Sequence, residues 1–285
     1  MNIDHSVIEA VGRGPVITYR PVDVRFSIEL LGSTQVTVGN QTRGLGANRV
    51  RTLLAVLAFT PGEVVSVDLL MEELATDQDS KNPKNALQAN MRRLRTSLEE
   101  MTGVPGNLLV RTSANSYLLD VPRDAVDAHR FDDLATRGSA LLHESPHEAA
   151  LLLDEALRLW RGQALADVAG GLTCIAHANR LAGRRLGALE DLYEARLSIG
   201  REAAVVSALE QLACEHPERE RMSELLMLAL YRVGRQGDAL AVFQRVRSWL
   251  NTELGLEPRK RMRRIQEAIL MQDPAIDTGM VFADR

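Results

Sequence analysis

The chain has 285 residues, 45% of them hydrophobic and 25% charged, a balance that suits two ordinary globular domains and excludes wholesale disorder or a fibrous repeat. No apolar run approaches the roughly 18 residues of a membrane span. The first residues lack the basic–apolar–small order of a secretory signal, so a cytoplasmic protein is expected. Two cysteines, Cys174 and Cys214, cannot build a disulfide framework, and no Cys/His cluster has zinc spacing. The formal charge of −4 is unevenly spread: residues 20–123 carry 12 basic and 11 acidic side chains, and residues 124–285 carry 21 and 25. Within the first of these regions, 81–95 holds Lys81, Lys84, Arg92, Arg93 and Arg95 and no acid. Local charge, rather than the total, is what a polyanion feels.

In chain order, residues 1–24 read as a tail broken by Gly12, Gly14, Pro15 and Pro21. Alternation from Phe26 through Leu31 and again over Gln35–Val38, with a turn at Gly39-Asn40, predicts a small antiparallel sheet. Val50, Leu53, Leu54 and Leu57 then recur at helical spacing up to Pro61-Gly62. Ser66 is an N-cap for a second helix over about 67–75. After the polar stretch 76–83, Leu87, Met91, Leu94 and Leu98 form the seam of a third helix closed by Gly103, Pro105 and Gly106. Strands over 108–112 and 117–121 flank a turn at 113–116, a hairpin. Sheet, three helices and hairpin in about 100 residues make a winged helix-turn-helix, assigned to residues 25–122.

Beyond Pro122 the period is 3.6 throughout. Seven Ala/Leu-rich helices are predicted near 127–142, 147–161, 175–199, 202–214, 219–233, 236–254 and 259–271. Short links between them imply stacked helical hairpins of tetratricopeptide-like character over 123–272, with a tail from 273 to 285. The fold class is therefore mainly α with small β-sheets. Both cysteines read as helix-packing residues. The basic run 259–264 reads as the exposed face of the last helix or a contact between domains.

The third helix carries the functional reading. With Leu87 at zero and about 100° per residue, Met91, Leu94 and Leu98 fall within about 40° of it. Asn85, Ala89, Arg92 and Thr96 lie about 140–200° away, flanked by Gln88 and Arg93. Amide side chains can pair adenine edges, arginines can reach guanine or phosphate, and a small Ala89 admits the helix into a major groove. Arg49 and Arg51, near the start of the first helix, are expected to clamp phosphates. Arg111, Thr112, Asn115 and Tyr117 straddle the hairpin tip, where a wing touches an adjacent minor groove or its backbone. Asn115 suits a positive φ in that turn. No phosphate-cradling glycine loop or dinucleotide fingerprint is present, and the i, i+4 pair His143 and His147 is interrupted by Ser145-Pro146, so no enzyme, no cofactor and no metal are expected. Two other readings use the helical half alone: a protein-interaction adaptor, or a regulator gated by a small effector, which an Ala/Leu-rich interior supports no better than plain packing.

The motifs FSIELLG (26–32), RVRTLLAVLAF (49–59), KNALQANMRRLRTSL (84–98), SYLLDV (116–121), DAHRFDDL (127–134) and HPERERMSELLMLALYRVGRQGDALAVFQRVRSWLNTELGLEP (216–258) resemble the Streptomyces antibiotic regulatory protein family in its short form. The resemblance covers Phe26 to Pro274. It implies a response-regulator-type winged helix joined to a bacterial transcriptional activation domain. It also implies a nucleoid-associated activator of secondary-metabolite clusters that binds promoter direct repeats as a side-by-side homodimer and recruits RNA polymerase holoenzyme through σ region 4 and other subunits. By this resemblance the recognition helix maps to Lys84–Thr96 and the wing to Arg111–Tyr117. The polymerase-facing loop maps to Ala75–Pro83, with Asp77, Asp79 and Lys81. The chain departs from the family at Leu74-Ala75, where a tryptophan is common, and at Ser116, usually glycine.

Overall fold

The computed structural model describes residues 26–75 and 82–276, which fall into two compact units. The first comprises the residues up to Glu29, Thr34–Val126 and Asp167–Cys174; the second comprises Leu30–Ser33, Asp127–Ala166 and the described residues from Ile175 onward. The expected tail 1–24 lies outside the described residues.

In the first unit, β1 (Phe26–Glu29), β2 (Gln35–Val38) and β3 (Gln41–Gly44) form an antiparallel sheet in that order, with Phe26 opposite Val38 and Gln35 opposite Gly44. All four β3 residues are exposed, so it offers no apolar alternation to read. Helices α1 (Asn48–Phe59), α2 (Val67–Leu74) and α3 (Pro83–Thr102) follow. Every residue of α1 from Thr52 to Phe59 is buried. Ser66 caps α2 by accepting from the Leu69 N–H at 3.2 Å. Leu108 and Leu109, expected in a strand, belong instead to a single helical turn, α4 (Gly106–Leu109). The hairpin strands are β5 (Val110–Ser113) and β6 (Ser116–Leu119), and β6 also pairs with a two-residue strand, β4 (Val65–Ser66), that the sequence did not announce. Leu53, Leu54, Leu57, Leu70, Leu87, Leu94 and Leu98 are fully buried, each worth roughly 1.5–3 kcal/mol relative to exposure.

The first strand stops two residues earlier than the alternation suggests. The N–H groups of Leu30 and Leu31 donate to the two carboxylate oxygens of Asp127 at 2.7 and 3.0 Å, all three residues lying in the second unit. That unit contains α5 (Asp127–Ala140), α6 (Pro146–Arg158), most of α7 (Leu172–Ser198), α8 (Glu202–Glu215), α9 (Glu220–Arg232), α10 (Gln236–Trp249) and α11 (Lys260–Met271). Helix α5 packs on α6, α8 on α9, and α9 on α10 and α11. The expected helix 236–254 closes with a π-helical turn, Leu250–Leu254, ahead of Gly255. One core runs from Leu197 and Val205 through Leu225, Leu226 and Leu228 to Phe243, Met262 and Ile265.

One detail corrects the sequence reading of this half, and another refines it. Cys174 is buried, but Cys214 is exposed and packs nothing away from water. The basic run 259–264 lies on the exposed face of the last helix, as expected, with Arg259, Lys260, Arg263 and Arg264 all exposed, and it is tied to α9 at two points. The Arg259 N–H donates to Glu220 at 2.7 Å, Arg261 lies 3.3 Å from the Glu224 carboxylate, and Met262 points into the core. These pairs lie within one unit.

The segment Asp167–Cys174 is bound into the first unit by backbone-directed polar groups. The Thr34 N–H donates to the Asp167 carboxylate at 2.7 Å, and the Ala169 N–H donates to the Asn48 side-chain oxygen at 3.0 Å. Glu73, 2% exposed, accepts from the N–H groups of Thr173 and Cys174 at 2.7 and 3.2 Å, at the start of α7. Burial pushes the Glu73 carboxyl up, but the hydrogen bonds from Thr173 and Cys174 outweigh it and hold the group below the ordinary carboxylate range. Burial, with the adjacent Glu73 carboxylate, drives the Cys174 thiol far above the thiol range, which makes it inert.

Two substitutions test this packing. A Cβ at Gly106 would sit 2.3 Å from the Arg95 carbonyl oxygen, so Gly106→Ala is expected to cost about 1–3 kcal/mol of stability in denaturant unfolding. Because the folded-state value of Glu73 is depressed, its contribution is complete above the ordinary carboxylate range and lost as pH falls through the depressed value. The deficit in Tm of Glu73→Gln relative to the unsubstituted chain is therefore expected to be largest near about pH 7 and to vanish in acid, which thermal scans across pH would measure.

Candidate nucleic-acid interface

Helix α3 begins where its sequence says a helix should. Asn82 is the cap, its side-chain oxygen accepting from the Asn85 N–H at 3.2 Å, and Pro83 fills the first turn, where its missing N–H costs nothing. Gly103, at φ +71, ends the helix in the left-handed region. Leu87, Met91, Leu94 and Leu98 are buried, and Asn90 joins them, its side-chain amide donating to the Ala86 carbonyl at 2.8 Å. Lys84, Asn85, Gln88, Ala89, Arg92, Arg93 and Thr96 are all exposed. Among the described residues, Lys84, Arg92 and Arg93 have no ion-pair partner. The helix thus offers a continuous strip of amide and cationic donors without a carboxylate until Glu99.

Arg95 lies on the border between the two faces, about 80° from Leu87 by helical geometry. It belongs to neither. Its Nε donates to the Val110 carbonyl and its Nη2 to the Thr112 hydroxyl, both at 2.8 Å, and its guanidinium lies 5.8 Å from the centre of the Tyr117 ring. One side chain therefore holds both hairpin strands to the middle of α3, a role the sequence reading missed by counting Arg95 only as charge.

The hairpin tip differs from expectation in detail. The left-handed residue is Ala114, at φ 47, rather than Asn115. The two central positions of the turn are Ala114 and Asn115, and the carbonyl of Asn115 accepts from the Val67 N–H at 3.0 Å, leaving its side chain exposed. Thr112 is also exposed. Tyr117 is 8% exposed, so its ring is part of the interior, not of the tip. Arg111 forms an ion pair at 2.6 Å with Asp120, itself buried.

The two arginines of the first helix also part company. Arg49 is half-buried near the start of α1. Arg51 is turned into its own unit: its Nη1 donates to the carbonyls of Leu45 and Gly46 at 2.9 Å, and its Nε to the Asp167 carbonyl at 2.9 Å, with the Asp167 carboxylate 3.2 Å away. Its donors are directed at carbonyls, which makes it a brace for the 45–51 turn and the 167–169 segment rather than a phosphate clamp. Asp77, Asp79 and Lys81 lie outside the described residues. Among the described residues, no group of three or more His, Cys, Asp or Glu side chains is placed to hold a metal, and no helix is long and apolar enough to cross a membrane.

A capped helix with an exposed, acid-free donor face, third in order and braced to a β-hairpin, defines a winged helix-turn-helix protein, here continued by a helical-hairpin unit. Residues 45–118 match the family model described as transcriptional regulatory protein, C terminal, and residues 126–270 match the bacterial transcriptional activator domain. The transcriptional regulator RedD of Streptomyces coelicolor is 42% identical over 87% of this chain and 71% of its own length. The regulatory protein DnrI of Streptomyces peucetius is 36% identical over 81% of this chain and 87% of its own. A solved structure of Mycobacterium tuberculosis EmbR, in complex with a low-affinity phosphopeptide, superposes with a TM-score of 0.84 at 29% identity, over 91% of this chain and 68% of that one. The chain belongs to the Streptomyces antibiotic regulatory protein family, a family of transcriptional activators.

The Arg95 brace yields a direct test. Arg95→Ala is expected to cost about 1.5–3 kcal/mol, the range for charge-assisted hydrogen bonds, and to raise amide hydrogen exchange selectively over residues 110–117, read by mass spectrometry.

Proposed function

We propose that this protein activates transcription by reading promoter DNA with the exposed face of α3. In this reading Asn85, Gln88, Arg92 and Arg93 meet base edges, while Lys84 and Thr96 meet the backbone at either end of the groove contact. Arg49, Thr112 and Asn115 fix the register through phosphates, and Arg51, Arg95, Arg111 and Tyr117 act one step back by holding the first-helix turn and the wing in place. The observation that carries the reading is the face itself: seven exposed residues from Lys84 to Thr96, three of them cations without a partner among the described residues, on a helix whose opposite face is sealed by leucine and methionine.

Family membership supports the finer steps. The operators are proposed to be direct repeats, which would be occupied head to tail and side by side by two protomers at sites about one helical turn apart. The loop 75–83, with Asp77, Asp79 and Lys81, is proposed to meet RNA polymerase, with σ region 4 among the surfaces engaged. The controlled genes are proposed to be those of a secondary-metabolite cluster, as the likeness to the Streptomyces regulators RedD and DnrI suggests. On this reading the protein works in the cytoplasm, on the nucleoid, and needs no cofactor.

The experiment is a footprint and mobility-shift titration on the promoters of the neighbouring cluster at physiological salt. Arg92→Ala and Arg93→Ala are each expected to lose about 1–3 kcal/mol of specific binding, roughly 5- to 150-fold, where a base contact is removed. Lys84→Ala is expected to weaken all sequences alike and to lower the slope of log K against log salt by about one. Full affinity and specificity in the Arg92→Ala/Arg93→Ala double variant would overturn the assignment.

A further inference from the structure

The second unit contains a cavity of about 510 Å³ that the DNA reading does not use, within the roughly 300–1,000 Å³ range of small-molecule sites. Its body is apolar, with Leu186 and Leu189 of α7 and Leu212 of α8 in the wall. Two polar side chains stand out in that wall. Trp160 and Arg185 both line the cavity, the guanidinium lies 4.9 Å from the centre of the indole, and the Trp160 Nε1 and Arg185 Nε donors are buried with no acceptor among the described residues. The ring of Trp160 is fixed from behind by Phe131, edge to face at 5.3 Å and 88°.

Arg185 is half-buried and differs from the paired arginines around it. On the same helix, Arg180 and Arg184 pair with Asp132 at 3.0 and 3.2 Å, and Arg196 pairs with Asp154 at 2.7 Å. Arg219 and Arg221 reach Glu190 and Glu194 at 2.9 and 2.7 Å. Arg185 has no carboxylate among the described residues. A buried donor without an acceptor is costly, and an ionised acceptor repays it best. Glu215, also in the wall, accepts from Gln211 at 2.8 Å; its charge opposes any anion beside it, which confines an anionic group to the Arg185 end and limits the ligand to one.

We propose that this cavity is a binding site for a planar, largely apolar organic monoanion, such as an aromatic carboxylate, whose oxygens accept from the terminal guanidinium nitrogens of Arg185 while its rings lie against the Trp160 side chain and the leucine wall. The site is independent of the DNA reading and stands or falls without it.

The chain holds two tryptophans, and Trp249 lines a different cavity with Val242 and Val246. In full-length Trp249→Phe the emission is that of Trp160 alone. Titration with anthraquinone-2-carboxylate is expected to give saturable quenching, about tenfold weaker with the neutral anthraquinone-2-carboxamide and in Arg185→Met. Ala208→Phe, which fills the cavity from α8, is expected to abolish it. Equilibrium dialysis of the two compounds against the unsubstituted chain makes the same comparison without any variant. Non-saturating quenching, or equal affinity for carboxylate and carboxamide, would overturn the proposal, as would quenching that survives Ala208→Phe in a chain with unchanged circular dichroism.

Discussion

The structure of the first unit turns on the two-sidedness of α3. Leu87, Met91, Leu94 and Leu98 commit one face to the core, which fixes the rotation of the helix about its axis and leaves the amide and arginine face outward. A helix rotated by half a turn would bury Arg92 and Arg93 and expose the leucines, at a cost far beyond the stability of a small domain. The acid-free strip is then a consequence of core packing. It persists in a chain of net charge −4 because screening over about 8 Å in physiological salt separates it from the acidic residues elsewhere.

Arginines divide the labour around that helix. Arg92 and Arg93 face outward, while Arg51, Arg95 and Arg111 spend their donors on Leu45, Gly46 and Asp167, on Val110 and Thr112, and on Asp120. The planar, five-donor fork suits both tasks, bidentate contact with an anion and the bridging of several carbonyls. Helix α3 packs on the short turn α4, and the hairpin strand β6 packs on α1; Arg95 holds both hairpin strands to the midpoint of the helix that carries the donor face.

Carboxylates perform a parallel service for the backbone. Asp127 takes the N–H groups of Leu30 and Leu31, Asp167 takes that of Thr34, and Glu73 takes those of Thr173 and Cys174. Each satisfies donors that lack a strand or helix partner, in irregular backbone for Leu30, Leu31 and Thr34 and in the first turn of α7 for Thr173 and Cys174, the requirement that buried backbone imposes. Short segments are thereby assigned to units other than those of their chain neighbours: Leu30–Ser33 to the second unit and Asp167–Cys174 to the first.

The order of elements, the seven helices of the second half, the cap at Ser66, the buried seam of α3 and its exposed donors were all determined by residue spacing, because helical period and capping are local properties that a short window contains. The all-exposed strand β3 was not, since it lacks the apolar alternation on which a strand is read; the early end of β1 and the helical turn at Gly106–Leu109 were not, since apolar residues continue through Leu30-Leu31 and Leu108-Leu109, and for β1 the distant Asp127 carboxylate takes the Leu30 and Leu31 N–H groups. Only the tertiary structure decided which arginines face solvent and which are braces. It alone made Tyr117 a core residue and placed the left-handed residue at Ala114. The partners that settle those questions lie far off along the chain, Asp167 being 116 residues from Arg51, and no local pattern encodes a hydrogen bond across that separation.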